Sequence, residues 1–496
     1  MNEIPIIITT SNYKTANEPD QLFQCDCACA DQAFAFTTPT PDLSAPLRHP
    51  FLHTQALPNG HTLMFNPHRD NGVAVVNAPA KAIWQTFATG PDPVRPMQNV
   101  VDKAQPDHYA STITKLVEAG LLEPANTQVQ VRQFAAQTLS AWVHVTNECN
   151  LRCDYCYIRK TEDDMSEDIG RAAVDAIFRS ARKHNFKQVK LKFAGGEATM
   201  NLKRVFDIHA YASEQANKIG LSVDTVILSN GVSIGERAIA QFIERGIRVS
   251  ISLDGVDEYH DAQRKFANGQ GSFRWVSRTI DKLIAKGIKP FISITLSDRN
   301  ADGLAQTIKY VIDRDLPFNI NFFRDNDCAA PHSDLKLRDD RVIDAMLQAF
   351  SVIEAQLPTR SLLGSLVDRA QFDQPHDKTC SVGDAYLVID HQGQISKCQM
   401  EIERPVTSIF ADDPLAFIHS DKIGIQNLRV EEKEGCRECE WKYWCAGGCP
   451  ALTFRATGRY DVKSPNCRIY KAIYPALLRL EAMRLLRLAK LDLNCN

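Results

Sequence analysis

Neither sign of charge prevails in this 496-residue chain: 57 Lys and Arg stand against 60 Asp and Glu, a formal net charge of −3. That balance gives no strong field to concentrate nucleic acid or an anionic membrane around the protein. Long apolar runs are missing as well, and none approaches the roughly 18 residues of a membrane span. Residues 1–10 have neither a basic region nor an apolar core long enough for a signal peptide. The expectation is a cytoplasmic protein with no nucleic-acid and no membrane partner. At 44% hydrophobic and 24% charged, the composition excludes disorder, collagen and coiled coil. Its length suggests about three domains.

Cysteine is what the chain does have, 15 residues at 25, 27, 29, 149, 153, 156, 328, 380, 398, 436, 439, 445, 449, 467 and 495. A reducing compartment disfavours disulfides, so thiols in these numbers point to metal ligation or redox work. Clustering along the chain decides between them.

Residues 1–50 mix Thr, Pro, Asp and Ala without sustained period, and the Pro-rich stretch 38–50 reads as a linker, so this tail is assigned no fold. Over 51–127, short apolar runs broken by Asn59-Gly60 and Asn71-Gly72 read as hairpins. Two helical stripes follow: Ile83, Trp84 and Phe87 after Pro79, then Ile113, Leu116 and Val117 before Gly120. That is a small β-then-α domain of a size that can fold alone. Within 140–327, apolar strands at 142–146, 189–193, 223–228, 249–253, 291–296 and 318–323 alternate with amphipathic helices. In the helix at 169–183, for example, Val174, Ile177, Phe178 and Ala181 share one face. The alternation predicts right-handed βαβ crossovers and an α/β fold, a partial (β/α)6 barrel with chemistry at the carboxyl ends of its strands. Residues 328–379 read as a helical connector and 380–470 as a cysteine-rich domain of weak period. Residues 471–496 read as a C-terminal helix whose Leu stripe packs into the core.

Directly after the first barrel strand come Cys149, Cys153 and Cys156, on one tight loop. Three thiolates so spaced can fill three corners of a cubane and leave the fourth iron without a protein ligand, open to a substrate or cofactor. A structural zinc site is the competing reading, but zinc takes four protein ligands and no fourth Cys or His follows nearby. The loop resembles the signature of the radical S-adenosylmethionine (SAM) superfamily, and the resemblance runs on along the barrel. It implies a 4Fe–4S cluster whose open iron chelates the amino and carboxylate groups of SAM, and whose electron breaks a carbon–sulfur bond to give a 5′-deoxyadenosyl radical. Gly195, Gly196 and Glu197 are similar to the glycine-rich strand end that meets the SAM amino group. Ser229 and Asn230 are placed like the third-strand contact to the ribose hydroxyls, and Ser252 and Asp254 belong to a segment similar to the fourth-strand motif. Arg264 falls where a basic residue pairs with the SAM carboxylate, and Tyr155 where an aromatic lies near adenine. Singly these are ordinary turns; their order at successive strand ends carries the resemblance.

A second set is Cys380-x12-Gly393-x4-Cys398, then Cys436-x2-Cys439-x5-Cys445-x3-Cys449, then Cys467. It resembles the seven-cysteine SPASM extension of radical SAM enzymes that modify peptides and proteins. The likeness implies two auxiliary 4Fe–4S clusters, one held by Cys436, Cys439, Cys445 and Cys467 and the other by Cys380, Cys398 and Cys449. A pair of zinc ribbons is the rival reading. Some relatives carry a further cysteine shortly before the first of the seven, and 372–379 has none. The second auxiliary cluster therefore keeps an open iron or recruits Cys328, the fourth ligand favoured here; a spare buried cysteine competes with that reading.

Residues 51–127 resemble a recognition element of enzymes that mature ribosomally made, post-translationally modified peptides (RiPPs). There an extended leader peptide adds a strand to a sheet edge. A plain winged helix is the rival, and the charge balance argues against DNA. Cys25, Cys27 and Cys29 read as a redox or thiol-transfer tail, a metal-binding tail, or nothing; Cys495 reads as unimportant and His144 as a packed core histidine. Together the resemblances imply an oxidoreductase, a maturase that takes hydrogen from a ribosomally made precursor peptide and closes an oxidative cross-link, thioether or carbon–carbon. An electron donor such as flavodoxin or ferredoxin would serve it, and no protein residue is assigned a catalytic role. One alternative is a sulfatase-type maturase that makes formylglycine. Those relatives place an acidic residue right after the cysteine equivalent to Cys398, where this chain has Gln399. A zinc-binding adaptor is the alternative from another class.

Overall fold

The computed structural model describes residues 4–13, 34–37, 46–87, 106–128, 130–133 and 135–494. Cys25, Cys27, Cys29 and Cys495 lie outside these residues.

Six parallel strands pair in sequence order: Thr138–His144 (β1), Gln188–Ala194 (β2), Ser222–Ser229 (β3), Arg248–Ser252 (β4), Phe291–Leu296 (β5) and Phe318–Phe322 (β6). Helices Glu167–Lys183, Leu202–Ile219, Glu236–Arg245, Phe273–Ala285 and Leu304–Asp313 return the chain between them. The strands are apolar enough to be buried from both sides. Leu191, Ile227, Ile251 and Ile294 share one core with Val174, Ile177, Ile239, Ile280 and Ile308 of the helices. The first of these helices starts earlier than its apolar stripe suggests. Ser166 caps it by accepting from the Ile169 amide, and Glu167 and Asp168 complement the dipole of its first turn. β1 likewise begins at Thr138 rather than 142, because polar Thr138 and Ser140 pair with Gln188 and Lys190 of β2.

β1 is not an edge. Tyr386–Ile389 (β7) pairs parallel to its other side, and Gln394–Ser396 (β8) and Thr407–Ser408 (β9) follow antiparallel, giving a nine-stranded sheet. The cysteine-rich region thus grows out of the barrel sheet. Its contribution escapes a periodicity reading because Tyr386-Leu387-Val388-Ile389 is a short run, buried at every position.

The described residues of the tail assigned no fold contain three strands. Ile7–Thr9 pairs with Val73–Val76, Phe34–Thr37 with Gln130–Gln133, and Leu47–Arg48 with Glu123–Pro124. Pairings two to four residues long carry no detectable period. Ile7–Thr9 completes an antiparallel sheet in the order Ile7–Thr9, Val73–Val76, Thr62–Phe65, His53–Ala56. Both Asn-Gly signals fall in its hairpin loops. On one face Met64, Ala74 and Val76 meet helices Ala78–Gln85 and Pro106–Glu118 through Ala80, Ile83, Ile113 and Leu116. The other face, Leu63, Phe65, Val73 and Val75, joins the main core. A domain that could fold alone is therefore, in the structure, a layer covered on both sides.

The cover is aromatic. Phe65 lies edge-on to Trp444 at 5.0 Å, His53 stacks on Trp441 at 3.9 Å, and Phe372 and Tyr474 close the cluster at 4.8 Å. Trp444 Nε1 donates to the Pro67 carbonyl at 2.9 Å. Tyr474 belongs to the final helix, Cys467–Asn494, whose Ile469, Ile473, Leu477 and Leu485 are buried in the same core. No helix among the described residues is long and apolar enough to cross a membrane. Since Trp444 is 1% exposed, Trp444→Ala should cost about 3–5 kcal/mol. Denaturant unfolding measures that cost, and a loss below about 1 kcal/mol would show that the layer docks without this cluster.

Candidate active site

The loop after β1 is held on all sides by backbone. Leu151–Cys153 pairs antiparallel with Arg264–Phe266, setting Cys153 opposite Arg264. The Asp154 amide donates to the Gln263 carbonyl at 3.1 Å, and Asn326 Nδ2 donates to the Tyr155 carbonyl at 3.0 Å. Asp154 also pairs with Arg299, which Asp334 holds from its far side at 2.7 Å. From beneath, the Gly196 and Glu197 amides donate to the Thr146 and Glu148 carbonyls, each at 2.8 Å. A Cβ on Gly195 would stand 2.5 Å from the Thr146 carbonyl oxygen, and one on Gly196 would collide with those of Asn147 and Glu148. These glycines therefore serve the close approach of two backbones.

So fixed, Cys149, Cys153 and Cys156 line one cavity of about 280 Å³ at the strand ends. They lie within electrostatic reach of one another. Burial raises the pKa of Cys149 and pushes that of Cys153 to about 12, so both must shed a proton to ligate a metal. Lys160 Nζ donates to Cys156 Sγ at 2.7 Å, and Asn230 Nδ2 approaches Cys149 Sγ at 3.9 Å.

The other strand-end residues divide into those that reach the cavity and those that brace it. Gly195, Gly196, Glu197, Ser229, Asn230, Ser252, Arg264 and Tyr155 line it; Asp254 does not. Asp254, 1% exposed, is a hub instead. Its carboxylate accepts from the Thr295 amide at 2.9 Å, the Tyr155 hydroxyl at 2.6 Å and Gln263 Nε2 at 3.1 Å, and it pairs with Arg264 at 3.5 Å. Glu197 is similarly engaged. Its Oε1 accepts from the Thr199 amide and hydroxyl and from Ser229 Oγ, and its Oε2 from the Asn230 amide at 2.6 Å. Asn230 Nδ2 turns to Asn150 Oδ1 at 2.7 Å rather than into open space. Two groups in these lining residues keep hydrogen-bonding capacity: Glu197 Oε2, which accepts from the Asn230 amide alone, and Arg264 Nε, buried and unpartnered. An acceptor suited to an ammonium and a donor suited to a carboxylate fit the two ends of an amino acid.

Residues 143–311 match the family model described as the Radical SAM superfamily. They form a radical SAM domain. The chain is 25% identical over 359 residues to a serine-type anaerobic sulfatase-maturating enzyme of Bacteroides thetaiotaomicron, a match covering 62% of this chain and 81% of that one. It is 26% identical over 210 residues to the sporulation killing factor maturation protein SkfB of Bacillus subtilis, covering 42% of this chain and about half, 48%, of SkfB. The solved structure of anSMEcpe with bound AdoMet (SAM) shares the fold, with a TM-score of 0.57, 17% identity and coverage of 69% of this chain and 98% of that one. A radical SAM domain is an enzyme domain that binds a 4Fe–4S cluster and SAM.

Behind the radical SAM domain seven further cysteines fall into two groups. Cys436 senses the charges of Cys445, Cys467 and Cys439, and the four sulfurs share a small cavity. Cys398 senses Cys449 and Cys380. Burial pushes Cys398 and Cys436 up to about 12. Cys449 is buried too, yet the guanidinium groups of Arg324 and Arg369 more than offset that and hold it below the usual thiol range. Lys433, 2% exposed, lies within reach of Cys436, Cys445, Cys380 and Cys449, with Nζ donating to the Ala446 carbonyl at 2.7 Å. Among the described residues no three His, Cys, Asp or Glu side chains close to the spacing of a single metal ion.

Cys328 differs from Cys380, Cys398 and Cys449, which are buried. It is exposed, its sulfur 3.9 Å from the Tyr157 carbonyl. Asn326 ties the chain to the Tyr155 and Arg324 carbonyls, and the turn that follows carries residue 328 outward. His144 is buried, its Nε2 2.7 Å from Asn147 Oδ1, and burial lowers its pKa to about 4. Lys160, Arg324, Arg369, Met400 and Lys433 went unnoticed in the sequence. Lys160, Lys433 and Met400 stand four, three and two residues from Cys156, Cys436 and Cys398, a signal that could have been read; Arg324 and Arg369 have no such neighbour among the ten cysteines of the three groups.

Replacing Gly196 with Ala should push the loop off the strand end and remove one cluster's worth of iron while the far-ultraviolet circular dichroism stays native. Full iron content in Gly196→Ala would refute the close-approach account. Asp254→Ala leaves Arg264 buried without its carboxylate and should cost about 3–5 kcal/mol, read by chemical unfolding.

Proposed function

We propose that the chain is a SAM-dependent peptide maturase that oxidises a side chain of a ribosomally made precursor peptide and closes a cross-link, thioether or carbon–carbon. In this reading Cys149, Cys153 and Cys156 hold the SAM-binding cluster, and the extension is of the SPASM type. Cys436, Cys439, Cys445 and Cys467 hold one auxiliary cluster, and Cys380, Cys398 and Cys449 the other. When bound, these groups supply a 5′-deoxyadenosyl radical at one end of the cavity and an electron acceptor at the other.

One observation carries the reading: a single cavity is lined both by Cys149, Cys153 and Cys156 and by Gln399 and Met400, directly after Cys398. A substrate side chain held there has both the SAM-binding cysteines and the segment after Cys398 at hand. The chain's own residues position it. Glu197 Oε2 and Arg264 Nε hold the amino and carboxylate ends of SAM, and Ser250, Ser293, Thr295, Asn319 and Asn321 offer a neutral polar lining. Neutral hydrogen-bonding groups orient a substrate without taking its protons, as expected where the hydrogen acceptor is not a protein residue. The N-terminal sheet is the proposed leader-binding layer. Its two edges are Ile7–Thr9 and His53–Ala56, so a peptide that adds a strand does so at one of them or displaces Ile7–Thr9.

Formylglycine formation is the second reading, favoured by the extent of the match to the Bacteroides thetaiotaomicron enzyme. Against it stands Gln399, whose Oε1 accepts from the Tyr386 hydroxyl at 3.2 Å and whose amide takes no proton.

Anaerobically purified protein should be brown and convert SAM to 5′-deoxyadenosine under dithionite, and Cys153→Ala should abolish this. A colourless zinc protein would overturn the reading. Co-expression with a short peptide encoded beside the gene should lower the peptide's mass by about two hydrogens per link formed, as oxidative closure requires; formylglycine in a sulfatase peptide, with that short peptide unchanged, would favour the second reading.

A further inference from the structure

Arg369 is a cation without an acceptor. Its Nε and Nη1 are buried and unpartnered, and it adopts a left-handed backbone conformation, φ 61°, rare for a residue with a side chain. A buried, unpaired guanidinium held in a disfavoured backbone is costly twice over, and such costs are retained where something absent from the protein itself compensates them.

Its surroundings identify the compensating group. Neighbouring Asp368 acts on it only at a distance and is engaged elsewhere: Oδ1 accepts from Arg324 Nη2 at 2.6 Å, and Oδ2 from the Tyr470 hydroxyl at 3.2 Å. Arg324 is itself aimed at the auxiliary cysteines, with Nε donating to Cys449 Sγ at 3.3 Å. Arg369 lines the cavity beside Arg324, Gln399 and Met400, within electrostatic reach of Cys449 and Cys380. Two guanidinium charges thus face one carboxylate and three sulfurs.

We propose that Arg369 sets its guanidinium charge beside the cluster held by Cys380, Cys398 and Cys449, and so raises that cluster's reduction potential. The inference rests on the cluster assignment made under the proposed function. Three thiolates on an oxidised 4Fe–4S core leave the unit one negative charge, and uptake of one electron from a reductant adds a second. A cation beside the cluster stabilises the second charge more than the first, and hydrogen bonds to the sulfurs of such clusters act in the same direction. Arg369 is in these terms a positioning residue, acting on the cluster rather than on the substrate.

The test is an EPR-monitored redox titration of the reconstituted full-length protein. Cys398→Ala first shows which one-electron step belongs to this cluster. In Arg369→Gln that step should move to lower potential by about tenfold in its reduction equilibrium, ~59 mV for one electron, with the other steps in place. Arg369→Lys keeps the charge but loses the fork, and should fall between the two; it also decides the matter if the Gln variant fails to retain iron. Unchanged potentials in the variants overturn the proposal, and so does an unmoved step accompanied by weaker peptide binding, which would make Arg369 a substrate anchor. A wild-type protein that takes up no iron would be a different failure, that of the cluster assignment itself.

Discussion

Two backbones pressed together hold the site in place. The end of β2 lies so close under the loop of Cys149, Cys153 and Cys156 that neither Gly195 nor Gly196 tolerates a Cβ, and the Gly196 and Glu197 amides hang the loop by its own carbonyls. This contact sets where three thiols point, and burial makes two of them reluctant to ionise. Other features either brace that loop, as Arg299 and Asn326 do, or line the cavity beneath it.

Charged side chains at the strand ends are spent mainly on the protein. Asp254 joins β4 to Thr295, Gln263, Tyr155 and Arg264, and Glu197 joins β2 to the Ser229-Asn230 end of β3. The polar groups that could be taken for ligand contacts thus work largely as ties between adjacent strand ends, leaving an acceptor and a donor for the ligand. A site whose reactive species comes from a cofactor needs rigidity and orientation more than general acids and bases.

The six-strand alternation and its strand ends were legible because parallel strands buried on both faces leave apolar runs separated by helical stripes. The division of the cysteines into groups came from the family resemblance rather than from spacing, and in the structure the sulfurs of each group lie within electrostatic reach of one another. What escaped reading depends on pairing between distant segments. The tail strands Ile7–Thr9 and Phe34–Thr37 are too short to show a period, and β7 joins β1 across more than two hundred residues. Cys328, read from the sequence as a fourth ligand, is exposed in the structure on the turn after Asn326. Arg324 and Arg369 have no sequence signature at all, since only the fold sets them beside Cys449.

Anomalous diffraction at the iron edge from crystals grown without oxygen and with SAM tests the central claim most directly. The account predicts three separate iron-rich sites, the first touched by Cys149, Cys153 and Cys156 alone among the protein's side chains, with SAM on its fourth corner. Density at the zinc edge instead, or a fourth protein ligand closing the first site, would contradict it.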